Sequence, residues 1–120
     1  MVESLNKTID FATAGTSFHG LTTYGKIMVG DKAFEFYNDR NIQDYIQIPW
    51  EEIEFVAASV MFKGKYIPRF SIETKSNGSF SFAAKEPKKL LRAMREYVGA
   101  DKMLKSLDFI TVLKRKFGGK

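Results

Sequence analysis

Apolar and polar side chains alternate with a period of two through most of residues 1–84, and after Pro87 the period becomes helical. Leu5, Lys7, Ile9 and Phe11 alternate with Asn6, Thr8, Asp10 and Ala12, which predicts a first strand. Residues 24–29 and 33–37 flank Gly30-Asp31-Lys32, whose glycine suits the positive φ of a tight hairpin. A polar loop, Asn38-Asp39-Arg40-Asn41, leads to the next strand at Tyr45-Ile46-Gln47-Ile48. Residues 55–62 are apolar on both alternating faces, as in a strand covered on both sides, and Lys63-Gly64-Lys65 closes the run. Residues 67–74 and 79–84 predict another hairpin around Ser76-Asn77-Gly78, since Asn-Gly favours the type I′ turn. These runs amount to about seven short antiparallel strands, the pattern of a small barrel or sandwich.

Pro87 suits a first helical turn, and Leu90, Leu91, Met94, Tyr97 and Val98 recur at helical spacing behind it, while Lys88, Arg92 and Arg95 share another face. An amphipathic helix capping the sheet follows, giving an α+β class. Gly99 is its expected end, and Asp101 is placed to cap a second, shorter helix carrying Met103, Leu104 and Leu107. Residues 109–113 fit a strand or a helical continuation equally. The expected organisation is one domain over residues 1–113 with a basic flexible tail at 114–120.

The stretch Pro49-Trp50-Glu51-Glu52-Ile53-Glu54 interrupts the strand pattern with three carboxylates in four residues. Proline removes an amide donor, so pairing stops there and the chain turns before the next strand. A glycosidase pair would face across a cleft, and a calcium loop needs spaced oxygens and a central glycine, so the three acids read as a solvated corner. Trp50 is expected to anchor that corner. His19 has no orienting acid at a recognisable spacing. The glycines form neither a GxGxxG nor a P-loop motif, and Phe80 and Phe82 alternate with serines as one buried strand face would. No catalytic residue, metal site or cofactor is expected.

Charge adds an asymmetry. The 120-residue chain is +5 overall, yet residues 1–84 hold 8 basic against 10 acidic residues, and residues 85–120 hold 11 against 4. The C-terminal third therefore points to an acidic partner, a solvated helix face with a basic tail being the equally open alternative, and Lys88, Lys89, Arg92, Arg95, Lys114, Arg115 and Lys116 are the expected partner-binding cations. Cysteine is absent, which removes disulfides and thiolate chemistry and suits a reducing compartment. The N-terminus lacks the basic and apolar regions of a signal peptide, so a cytoplasmic location is expected.

Successive hairpins, an I-P-W-x-x-I corner, an F-x-F strand and a capping helix together resemble a pleckstrin-homology-like, or GRAM-like, domain. More closely, GLTTYGKIMVGDKAFEFYNDRNIQDYIQIPW (residues 20–50), ASVMFKGKYIPRF (58–70) and KEPKKLLRAMR (85–95) resemble the mannose-operon regulator (ManO-like) family, across nearly the whole chain. The resemblance implies cytoplasmic work beside a mannose-type sugar phosphotransferase system, and no catalytic residues come with it. The leading expectation is a non-enzymatic accessory or regulatory protein binding a permease subunit at the cytoplasmic membrane face. The alternatives are a transcriptional regulator binding nucleic acid through the basic third, and an anionic-lipid-binding module with peripheral membrane association. Residues 55–62 would also permit self-association into a homo-oligomer.

Overall fold

The structure, a computed structural model, describes residues 3–41 and 43–105. One sheet contains β1 (Ile9–Ser17), β2 (Thr23–Gly30), β3 (Ala33–Asn38), β4 (Tyr45–Pro49), β5 (Ile53–Met61), β6 (Tyr66–Thr74), β7 (Ser79–Ala84) and β8 (Met103–Lys105), and one α-helix, α1 (Pro87–Val98), packs on it. The eight strands run in the order β4-β3-β2-β1-β7-β6-β5-β8. Pairing is antiparallel throughout except between β5 and β8. The fold is α+β, with a mostly antiparallel sheet and one helix among the described residues.

The sheet is strongly curled. Phe34 on β3 and Phe82 on β7 are separated by β2 and β1, which in a flat sheet would put them about 14 Å apart. Their ring centroids lie 4.9 Å apart, and Phe34 also meets Phe70 of β6 edge-on at 6.2 Å. Only a sheet folded over itself allows this, and β1 is where it folds. That strand pairs with β2 from Ile9 to Ser17, but with β7 only through Gly15, Thr16 and Ser17. Gly15 faces Gly25 across the ladder, and a Cβ on Gly25 would lie 2.0 Å from the Tyr37 carbonyl oxygen. The close approach there excludes any side chain. Ile27, Val29, Phe34, Phe36, Ile72, Leu90 and Met94 fill the enclosed core.

Residues 4–8 and the corners are tied down by polar contacts. Glu35 on β3 is fully buried, and its carboxylate accepts hydrogen bonds from Ser4 Oγ (2.6 Å), the Leu5 amide (2.7 Å), Asn6 Nδ2 (3.0 Å) and Gln47 Nε2 (3.1 Å). Asp31 in the β2–β3 turn accepts from the amides of Lys7 and Thr8, and the Thr8 amide above all holds its carboxyl below the ordinary value. At the corner, Trp50–Glu52 form a single 3₁₀ turn. Trp50 is half-buried; its Nε1 donates to the Gly30 carbonyl at 2.9 Å, and its ring stacks on Tyr97 of α1 at 4.9 Å and 4°. The Tyr97 hydroxyl donates to Asp10, and that carboxylate pushes the phenol up to about 12.

The structure differs from the sequence pattern in five places. The first strand starts at Ile9, because residues 4–8 give their hydrogen bonds to Glu35 and Asp31 instead of a ladder. Gly30 is not at positive φ; it is needed because a Cβ would lie 2.4 Å from the Thr8 carbonyl oxygen. At Asn77-Gly78 only the glycine is left-handed, so the turn is not type I′, and Thr74 Oγ1 accepts from the Asn77 amide instead. Tyr97 leaves the core and stacks on the corner. After Gly99 (φ 98°) a 3₁₀ turn at Ala100–Lys102 leads not into a second helix but into β8, which satisfies the open edge of β5. Leu107, residues 109–113 and the 114–120 tail lie outside the described residues.

Two measurements test these anchors. Glu35→Gln puts an amide donor among four donors, so stability is expected to fall by about 1 to 3 kcal/mol in urea unfolding. Tyr97 has a folded-state value above its unfolded 10.0, so its contribution is complete below pH 10 and is lost as pH rises through about 12. The melting-temperature gap between the wild type and Tyr97→Phe should accordingly close across that interval.

Candidate functional site

Helical spacing places Lys88, Arg92 and Arg95 four and three residues apart on one side of α1, while Leu90 and Met94 are fully buried on the other. The core fixes the rotation of the helix, and the cations follow. Gly99 closes it, its amide donating to the Arg95 carbonyl at 2.9 Å. Beside α1, the parallel pair β5–β8 forms the floor of a concavity of about 340 Å³. Val56, Ala58 and Val60 of β5, with Leu91 of α1 and Met103 and Leu104 of β8, supply apolar lining, and Lys88, Arg92, Arg95 and Lys105 supply positive charge. No carboxylate is among the described residues lining it. An apolar floor under a cationic rim suits an anionic group joined to an apolar body.

Of the cations expected to bind a partner, Lys88, Arg92 and Arg95 come together here. Lys89 does not join them: its Nζ pairs with Glu86 at 3.4 Å, and it borders a second concavity of about 490 Å³ on the far side of Lys88. Lys114, Arg115 and Lys116 lie outside the described residues. The sequence pattern missed Met103 and Leu104 as floor residues, because a three-residue strand has no periodicity to detect.

The other candidates take plain structural places. Glu51 is exposed on the 3₁₀ turn, Glu52 accepts from Ser76 Oγ at 3.4 Å, and Glu54 belongs to β5 at a ladder irregularity. The described residues contain no group of three or more His, Asp or Glu side chains able to hold a metal ion. His19 is exposed, with its ring against Phe80 at 4.6 Å. Phe82 is fully buried and Phe80 half-buried, as one strand face should be.

Fold and surface together define a small α+β protein whose most distinctive feature is a cationic, apolar-floored concave surface. The chain belongs to the family described as Domain of unknown function (DUF956), whose model matches residues 1–117. No curated protein matches the sequence. Among solved structures it is similar to the C-terminal domain of an unknown protein from Leishmania infantum, with a TM-score of 0.66 at 13% identity over 76% of this chain and 84% of that one. That likeness concerns the fold alone. Among the described residues no helix is long and apolar enough to cross a membrane.

The corner reading has a direct check. Glu51→Gln combined with Glu52→Gln should leave unfolding free energy within about 1 kcal/mol of the wild type, because exposed charges contribute little. Calcium titration calorimetry should show no saturable heat; tight binding abolished by the double change would make the corner a cation site.

Proposed function

We propose that this protein is a non-enzymatic accessory or regulatory module of a mannose-type sugar phosphotransferase system, binding a permease subunit at the cytoplasmic face of the membrane. The rim of Lys88, Arg92 and Arg95 over the floor of Val56, Met103 and Leu104 carries this reading. It combines charge that attracts an acidic segment with apolar surface that retains it. The sequence resemblance of residues 20–50, 58–70 and 85–95 to the mannose-operon regulator family supplies the transport system. We read the fold as pleckstrin-homology-like, from its successive hairpins and capping helix, and such domains act by binding.

The test is charge reversal of Lys88, Arg92 and Arg95 to Glu in one protein. Each site is exposed, so the fold should persist at a cost of under about 0.5 kcal/mol per change. Capture of permease subunits from native membranes should fall about tenfold or more, chiefly through a slower, salt-sensitive association. Wild-type binding to operator DNA with a steep salt slope, lost in the variant, would favour transcriptional regulation instead. Undiminished capture would remove this surface from the function.

A further inference from the structure

The turn joining β5 to β6 is built against the preference of its residues. Phe62, Lys63 and Gly64 have φ of 54°, 56° and 89°, and the turn is closed by the Gly64 amide donating to the Met61 carbonyl at 3.2 Å and the Lys65 amide to that of Phe62 at 3.2 Å. Glycine or asparagine adopts this left-handed backbone readily; a bulky phenylalanine does not. Phe62 gains no burial in return, being 70% exposed. Met61 is 48% exposed and Tyr66 52%, with the Phe62 and Tyr66 rings 6.4 Å apart. Three large apolar side chains thus project from one hairpin tip.

The charge around the tip has one sign. Lys63 and Lys65 lie on the turn itself and are exposed. Tyr66 borders the second concavity with Lys65, Lys85, Lys88 and Lys89, and Gly64 borders the first with Arg92 and Arg95. Glu86, paired with Lys89, is the only carboxylate among the described residues lining either concavity.

We propose that this hairpin tip docks the protein on an anionic lipid bilayer, with Phe62, Met61 and Tyr66 entering the interfacial region and Lys63, Lys65, Lys85 and Lys88 resting on the headgroups. The charge complementarity is with a surface of uniform negative sign, and aromatic rings favour the level where headgroups meet acyl chains. A bilayer fits better than a protein surface. A projecting tip of three side chains is too small for a specific protein interface of about 1,000 Å² or more, whereas lipid wraps around a projection. This docking does not rest on the permease-binding reading; it uses different apolar residues and shares only Lys88 with that surface.

The substitution Phe62→Gly separates a lipid-binding residue from a structural one. Phe62→Gly relieves the left-handed strain, so its melting temperature should equal or exceed that of the wild type, while its partition onto vesicles falls about tenfold. Vesicles of phosphatidylglycerol with phosphatidylcholine are compared with pure phosphatidylcholine by co-sedimentation. The wild type is expected on the anionic vesicles, with Phe62→Trp retaining binding and Lys63→Glu with Lys65→Glu losing it. No sedimentation of the wild type, or equal sedimentation of Phe62→Gly, overturns the proposal. Loss of permease capture by Phe62→Gly in detergent, without any vesicle effect, assigns the tip to a protein contact and overturns it too. Because Arg92 and Arg95 remain in all these variants, failure here leaves the capture experiment on α1 unaffected.

Discussion

The aromatic contact between Phe34 on β3 and Phe82 on β7 is the constraint on which the rest of the molecule depends. Those strands are three positions apart in one sheet, so the rings meet only because the sheet closes over them. Phe36 and Phe70 join the cluster from either side, at 5.9 and 5.8 Å from Phe82. Burying four phenylalanines supplies a large apolar driving force, of about 2 kcal/mol or more for each ring. The backbone has to permit the curl, and the facing glycines 15 and 25 on β1 and β2 are where it does.

Closure determines where the helix sits, and the helix determines the surface. Leu90 and Met94 complete the core, which leaves Lys88, Arg92 and Arg95 no inward direction. Tyr97 then fixes the far end of α1 to the corner by stacking on Trp50, whose indole is held by the Gly30 carbonyl. A residue of the helix, a residue of the β4–β5 corner and the end of β2 are thereby coupled, and the hydrogen bond to Asp10 brings in β1. The acid-rich corner is thus the turn by which β4 leads into β5, packed beside the helix.

Polar groups play a parallel part on β3, beside the corner. Glu35 is a carboxylate in an otherwise apolar strand, and it is tolerated in the interior because four donors converge on it. Burial pushes the neighbouring Tyr37 phenol up, consistent with the same enclosed environment. The outcome is that residues 4–6, too polar to form a strand, are still held against β3. Nothing similar relieves Phe62, which combines a strained backbone with an exposed ring.

The sequence by itself determined the elements whose side-chain period is long and consistent: the hairpins of β2 with β3 and of β6 with β7, the corner at Pro49-Trp50, and α1 with its inward leucines and outward cations. Each of these depends on neighbours a few residues away, which is the range periodicity and turn chemistry report. Tertiary structure decided the rest, because it depended on partners distant in sequence. Residues 4–6 follow Glu35, some 30 positions away; Gly30 is required by a backbone approach from Thr8; and Tyr97 chooses Trp50 over the core. Met103 and Leu104 become a strand because the edge of β5 offers unpaired amides and carbonyls 47 residues upstream, a demand that no local pattern carries. The floor of the candidate site was therefore hidden in the sequence while its rim was legible: exposed cations at helical spacing are a local property, and a concavity is not.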